Sequence, residues 1–153
     1  MTYDALLADE RIRSHGFPAH RLRAIIRTSF DLAEREMADS TVEALSLDGR
    51  YEHAYAAVRA LAEVVVLAEG FRPTGGVGQH QVLFDFVQLM PTAQWQSEAR
   101  YFDSCRQRRH TVAYRRPREV TETELAELIT EASRFREAVR EWLSEHHPGL
   151  VTP

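Results

Sequence analysis

The segment TETELAELITEASRFREAVREWLSEHH, residues 121–147, decides what kind of protein this is. Thr121 followed three residues later by Glu124 is a capping box: the hydroxyl accepts from the backbone N–H of Glu124, and the carboxylate reaches back to that of Thr121. Leu125, Leu128, Ile129, Ala132, Phe135, Ala138, Val139, Trp142 and Leu143 then recur at spacings of three and four, so they share one helical face. His147-Pro148-Gly149 ends the pattern. The glutamates between are the solvated side. A helix with one apolar stripe must bury it against something, and the rest of the chain supplies only more helices.

Working back towards the start, the period stays helical and no convincing alternating strand appears. Ala93 to Ala113 fits a helix with Trp95, Ala99, Phe102, Cys105 and Val112 on its inner face. A shorter one fits Gln81 to Leu89, ending before Pro91. The loop Phe71 to Gly78 cannot continue a helix. Arg50 to Glu69 carries Tyr51, Ala54, Tyr55, Val58, Leu61, Ala62, Val65 and Val66 on one face, and Gly70 is suited to close it in the left-handed conformation. A break falls around Ser46-Leu47-Asp48-Gly49. Ala19 to Ser40 is a long helix with Leu22, Ile25, Ile26, Ala33 and Met37 inward. A short amphipathic segment runs from Tyr3 to Arg13. With no repeat and no linker, the expectation is one all-α domain over residues 1–153, an antiparallel bundle of four to five helices.

The composition is that of an ordinary globular chain of 153 residues, 44% hydrophobic and 27% charged. No apolar run could span a membrane, and Met1-Thr2-Tyr3-Asp4 lacks the features of a signal peptide. Cys105 is the only cysteine, which excludes an intrachain disulfide and a cysteine-rich metal site. A cytoplasmic location is the default. All 19 basic residues are arginine, and neither lysine nor asparagine occurs. That rules out a Schiff-base lysine and a Walker-type phosphate lysine. Avoidance of A-rich codons explains it more simply than selection does, so only clustering carries information.

The clustering is strong. Between Asp103 and Glu119 lie Arg106, Arg108, Arg109, His110, Arg115, Arg116 and Arg118 and no acid. Removing these six arginines would take the net charge from −4 to −10. Guanidinium groups grip phosphate in a bidentate fork, so the patch is a candidate phosphate or RNA site. A solvated helix end, favoured by the helix dipole, is the plain alternative. Arg109 is in register with Phe102, Cys105 and Val112. An arginine on that inner side must be paired, face a cleft, or lie under a partner chain. Arg106, His110 and Tyr114 follow at one-turn spacings and can converge on one ligand.

Other sites read more weakly. His80 follows Gly75-Gly76-Val77-Gly78 and opens a helix, a setting that can hold an anion. The loop lacks GxGxxG spacing and a preceding strand, so a turn with a capping or core histidine is the better reading. His146 and His147 are adjacent rather than a turn apart, and no set of ligands has metal-site spacing; no metal or cofactor is expected.

The stretch YFDSCRQRRHTVAY, residues 101–114, resembles the signature helix of HEPN-domain proteins. That pattern is an arginine, then a polar residue, with a histidine typically five positions after the arginine. Arg109 matches the arginine, His110 the polar residue, and Tyr114 stands where the histidine would be. Tyr51 to Pro73 resembles the family's long second helix and its loop, and Thr121 to Leu150 its last helix. The resemblance implies a helical homodimer with two motifs facing one cleft. It also implies RNA as ligand and a nucleotidyltransferase antitoxin as partner in toxin–antitoxin or defence systems. Many members are metal-independent ribonucleases; here that role would fall to Arg109 and His110. Tyr114 points away from it, because a phenol does not exchange a proton readily near neutral pH. The expectation is therefore a non-catalytic or weakly catalytic RNA-, nucleotide- or partner-binding module. Its binding residues would be Arg106, Arg108, Arg109, His110, Tyr114, Arg115 and Arg116. An endoribonuclease toxin and an interaction module for an acidic protein are the rivals.

Overall fold

The structure, a computed structural model, describes residues 1–114 and 120–151, with 110–114 described by their backbone alone. Among the described residues six α-helices follow one another: α1 (Tyr3–Leu7), α2 (Ala19–Asp39), α3 (Leu47–Ala68), α4 (Gln79–Leu89), α5 (Gln96–Tyr114) and α6 (Glu122–His146). A 3₁₀ turn, Pro148–Leu150, comes after the last. The chain is thus mostly helical, as the spacing of its apolar residues requires.

The middle of the bundle is α3. Its expected stripe is buried, but so are Ala57, Ala60, Val64 and Leu67 on other sides. A helix that is apolar on more than one face has to be covered on each, and α2, α4, α5 and α6 all pack on α3. Ser46 starts it: the Ser46 hydroxyl accepts from the Gly49 N–H at 3.0 Å. Leu47, Asp48 and Gly49 therefore form the first turn rather than a break. Gly70, at φ +99°, ends α3 in the left-handed region expected of it.

The expectation of no strand needs correction. Beyond Gly70 the chain extends as β2 (Phe71–Pro73), which pairs antiparallel with β1 (Ile12–Ser14); Ser14 faces Phe71 and Ile12 faces Pro73. This also corrects the first helix, which stops at Leu7 instead of running to Arg13. Three residues on each side form the ribbon, too few for an alternating pattern to register. His15 fastens the crossing: Nδ1 accepts from the Phe17 N–H at 2.8 Å, and Nε2 donates to the Leu67 carbonyl at 2.9 Å.

At the other end, Thr121 and Glu124 form both bonds of the capping box, at 3.1 and 3.2 Å. Thr121→Ala is expected to cost about 1 kcal/mol, a fall of about 2–4 °C in Tm by circular dichroism. An unchanged Tm would mean that the start of α6 is held by other contacts.

A string of aromatic rings crosses the core. Trp142 meets Trp95 at 5.8 Å, Trp95 meets Phe135 at 5.3 Å, and Phe135 meets Phe102 at 5.1 Å between centroids. Phe102 continues to Phe84 at 6.3 Å, and Phe84 to Tyr55 at 6.2 Å. The string ends at Tyr55, which lies beneath Arg109 of α5.

Candidate functional site

Successive residues on a helix point about 100° apart, and α5 uses this to divide its arginines. Arg108 turns towards α6 and makes a fork with Glu124, Nε to Oε2 at 2.8 Å and Nη2 to Oε1 at 3.2 Å. That bond is the main cause holding the Glu124 carboxyl below its ordinary value. Arg109 turns towards α3. Its Nε donates to Glu52 Oε2 at 2.8 Å, and its guanidinium carbon sits 5.3 Å from the centre of the Tyr55 ring. Arg106 donates its Nε to Asp103 Oδ1 at 2.7 Å. A guanidinium carries five N–H donors, of which the Nε bond uses one.

Arg106 and Arg109 form one wall of a cleft of about 370 Å³. The other wall is the start of α4, with Gly76, Gly78, Gln79, His80 and Gln81. Gly78 is the N-cap, at φ +80°, and brings no capping side chain to the first turn. Guanidinium groups and the amino end of a helix both favour anions. The structure therefore joins two features that the sequence kept apart, the arginine helix and the His80 turn.

Tyr55 is the link. Its hydroxyl and His80 Nδ1 are 3.2 Å apart. Burial raises the Tyr55 phenol to about 12, with Arg109, Arg106 and Arg59 opposing. Burial lowers the His80 imidazole to about 4, and Arg59, Arg109 and Arg106 push the same way. The ring is thus neutral near pH 7. Unfolded, it would titrate near 6.5. Between these values the unfolded chain binds the extra proton, so stability is lost as pH falls from about 6.5 towards 4. Wild type should lose more Tm than His80→Gln between pH 7 and pH 4.5. Equal losses would show that His80 does not contribute to acid sensitivity.

The side chains of His110 and Tyr114 lie outside the described residues, as do Arg115, Arg116 and Arg118. Of the expected site residues, the described ones divide: Arg106 and Arg109 share the cleft, and Arg108 belongs to the α5–α6 contact. His80, Tyr55 and Glu52 are the residues that sequence reasoning did not place there. Tyr55 and Glu52 are one turn apart on α3, and only the packing of α3 on α5 reveals their role.

Among the described residues one set of metal-ligand types does converge, Glu36, Asp39 and His53, within 4.8 Å. The 2.6 Å contact of His53 Nδ1 with Glu36 Oε2 makes this an α2–α3 polar link. Cys105 is buried, with burial raising its thiol while Tyr51 and Tyr101 act to lower it. No helix among the described residues is long and apolar enough to cross a membrane. Compared with family models, with curated proteins and with solved structures, the chain matches none.

Proposed function

We propose that this chain is a HEPN-like helical module that binds RNA, or another nucleotide-bearing partner, in the cleft between α4 and α5. The observation that carries the reading is that Arg106 and Arg109 face the first turn of α4 across one small cavity. Cations on one wall and helix-end N–H groups on the other suit a phosphate. The likeness of residues 101–114 to the HEPN signature helix adds a homodimer and a nucleotidyltransferase partner to the proposal.

A second reading, a metal-independent endoribonuclease, gains from His80. Tyr114 removes the imidazole that the motif would supply, but His80 brings one to the cleft from another helix. Cleavage beside a 2′-hydroxyl needs a proton acceptor and a cation for the phosphorane. His80 and Arg109 are of those two types.

The test uses fluorescently labelled single-stranded RNA, followed by anisotropy over a salt series and by gel with EDTA present. Binding that weakens with salt and with Arg109→Ala supports the proposal. Binding indifferent to Arg109 removes it. Cleavage that survives EDTA and disappears in Arg109→Ala promotes the second reading. Light scattering at micromolar protein should give a dimer mass; a monomer mass ends the dimer part.

A further inference from the structure

The cleft has a feature that phosphate binding alone does not require, a neutral imidazole placed among arginines. We infer that the cleft selects a terminal phosphomonoester, a free nucleotide or the phosphorylated end of an RNA strand, and that His80 shares a proton with it. This inference rests on the binding reading above and adds the class of phosphate.

Three observations lead to it. The first is the surroundings of His80. Its ring is held through Nδ1 by the Tyr55 hydroxyl. Arg59 on α3, like Arg106 and Arg109 on α5, raises the positive potential there. On the near side, Arg11 lies against Gly78 and is paired with Asp9 and Asp85. Asp103 and Glu52 are committed to Arg106 and Arg109. Among the described residues the ring hydrogen-bonds the Tyr55 hydroxyl and no carboxylate, so nothing acidic competes with a phosphate for it.

The second is protonation. A phosphomonoester has a second pKa near 6, whereas an internal diester has no such proton. A monoester and an imidazole can therefore divide one proton in either direction. The monoanion can donate its P–O–H to a neutral ring, or the dianion can accept from an imidazolium. The second state is a charge-assisted hydrogen bond. A diester offers only an acceptor, and an opposite charge of one unit to draw a proton onto the ring.

The third is shape. Donors lie on both walls, with Arg106 and Arg109 facing the turn of Gln79, His80 and Gln81. A terminal phosphate has three free oxygens to satisfy them, and a diester has two. A cavity of about 370 Å³ is at the small end for ligand pockets. It has room for one phosphate-bearing end.

Three probes test this: adenosine 5′-monophosphate, an RNA hexamer with a 5′-phosphate, and the same hexamer with a 5′-hydroxyl. Affinities are compared for wild type, His80→Gln, Tyr55→Phe and Arg109→Ala. Gln keeps an acceptor for Tyr55, and circular dichroism checks the fold of each variant. The phosphorylated hexamer should bind about tenfold tighter than the hydroxyl form, with the preference reduced in His80→Gln and in Tyr55→Phe. Calorimetry at pH 7 in buffers of unlike ionisation heat should record proton uptake with the monophosphate in wild type and none in His80→Gln. Binding of the monophosphate without the hexamer identifies a free nucleotide as the ligand; binding of both admits an RNA end. Equal affinity for the two hexamers, with both lost in Arg109→Ala, overturns this inference and leaves the binding reading standing. Failure of every probe to bind overturns both.

Discussion

On the proposed reading, Arg109→Ala should weaken RNA binding by about 10- to 100-fold. A hydrogen bond to a charged group contributes about 1.5–3 kcal/mol, and each 1.4 kcal/mol is about a factor of ten in affinity. The apparent salt slope should also fall by about 0.7, the value of one phosphate contact on a single strand. Stability will suffer too. The substitution takes the Nε partner from Glu52 Oε2, and Glu52 Oε1 is already buried without a hydrogen-bond partner among the described residues. Arg109→Lys separates the effects, because it keeps the charge and loses the fork. If lysine restores stability but not affinity, the planar guanidinium is what the ligand reads. If alanine binds as well as wild type, the cleft is not the RNA site.

Phe102→Ala should produce the largest loss of stability, about 3–5 kcal/mol and about 6–20 °C in Tm for a chain of this size. Phe102 is fully buried, at 0% exposure, between Phe135 and Phe84. Its removal leaves a cavity in the middle of the aromatic string, and α5 loses its anchor one turn below Cys105. Because the string ends at Tyr55, ligand affinity should fall at temperatures well below the new Tm. Thermal unfolding by circular dichroism gives the first quantity and anisotropy the second. A loss under 1 kcal/mol would mean that the core closes over the gap.

What was legible in the sequence was what is local. The Thr121–Glu124 box and the left-handed Gly70 depend on neighbours within one turn, and both appear as read. The inward register of Arg109 was also legible, because it follows from three- and four-residue spacing along α5. Its partner was not: Glu52 is 57 residues away, and nothing in a periodic pattern says which glutamate of which helix will meet it. The surroundings of the His80 turn were not legible for the same reason. Alone it is a glycine turn with a histidine; only the packing of α4 on α5 places it opposite two guanidinium groups. Gly49 misled in the other direction, since a glycine reads as a stop even where a serine three residues earlier caps the turn that contains it.

The ribbon of β1 and β2 bears on how the chain reaches this state. Ser14 and Phe71 are far apart in sequence, and the whole α2–α3 hairpin lies between them. Closing so long a loop costs entropy before the short ribbon returns anything. α2 packs along α3, so once that hairpin has formed the residual closure is short. The ribbon should therefore be a late event in folding, and substitutions at Ile12 or Phe71 should speed unfolding more than they slow refolding. Arg11 and Thr74, whose backbones bond at 2.9 Å just beyond the ribbon, then lead into the glycine turn. On this order of events the cleft is among the last parts of the molecule to acquire its shape.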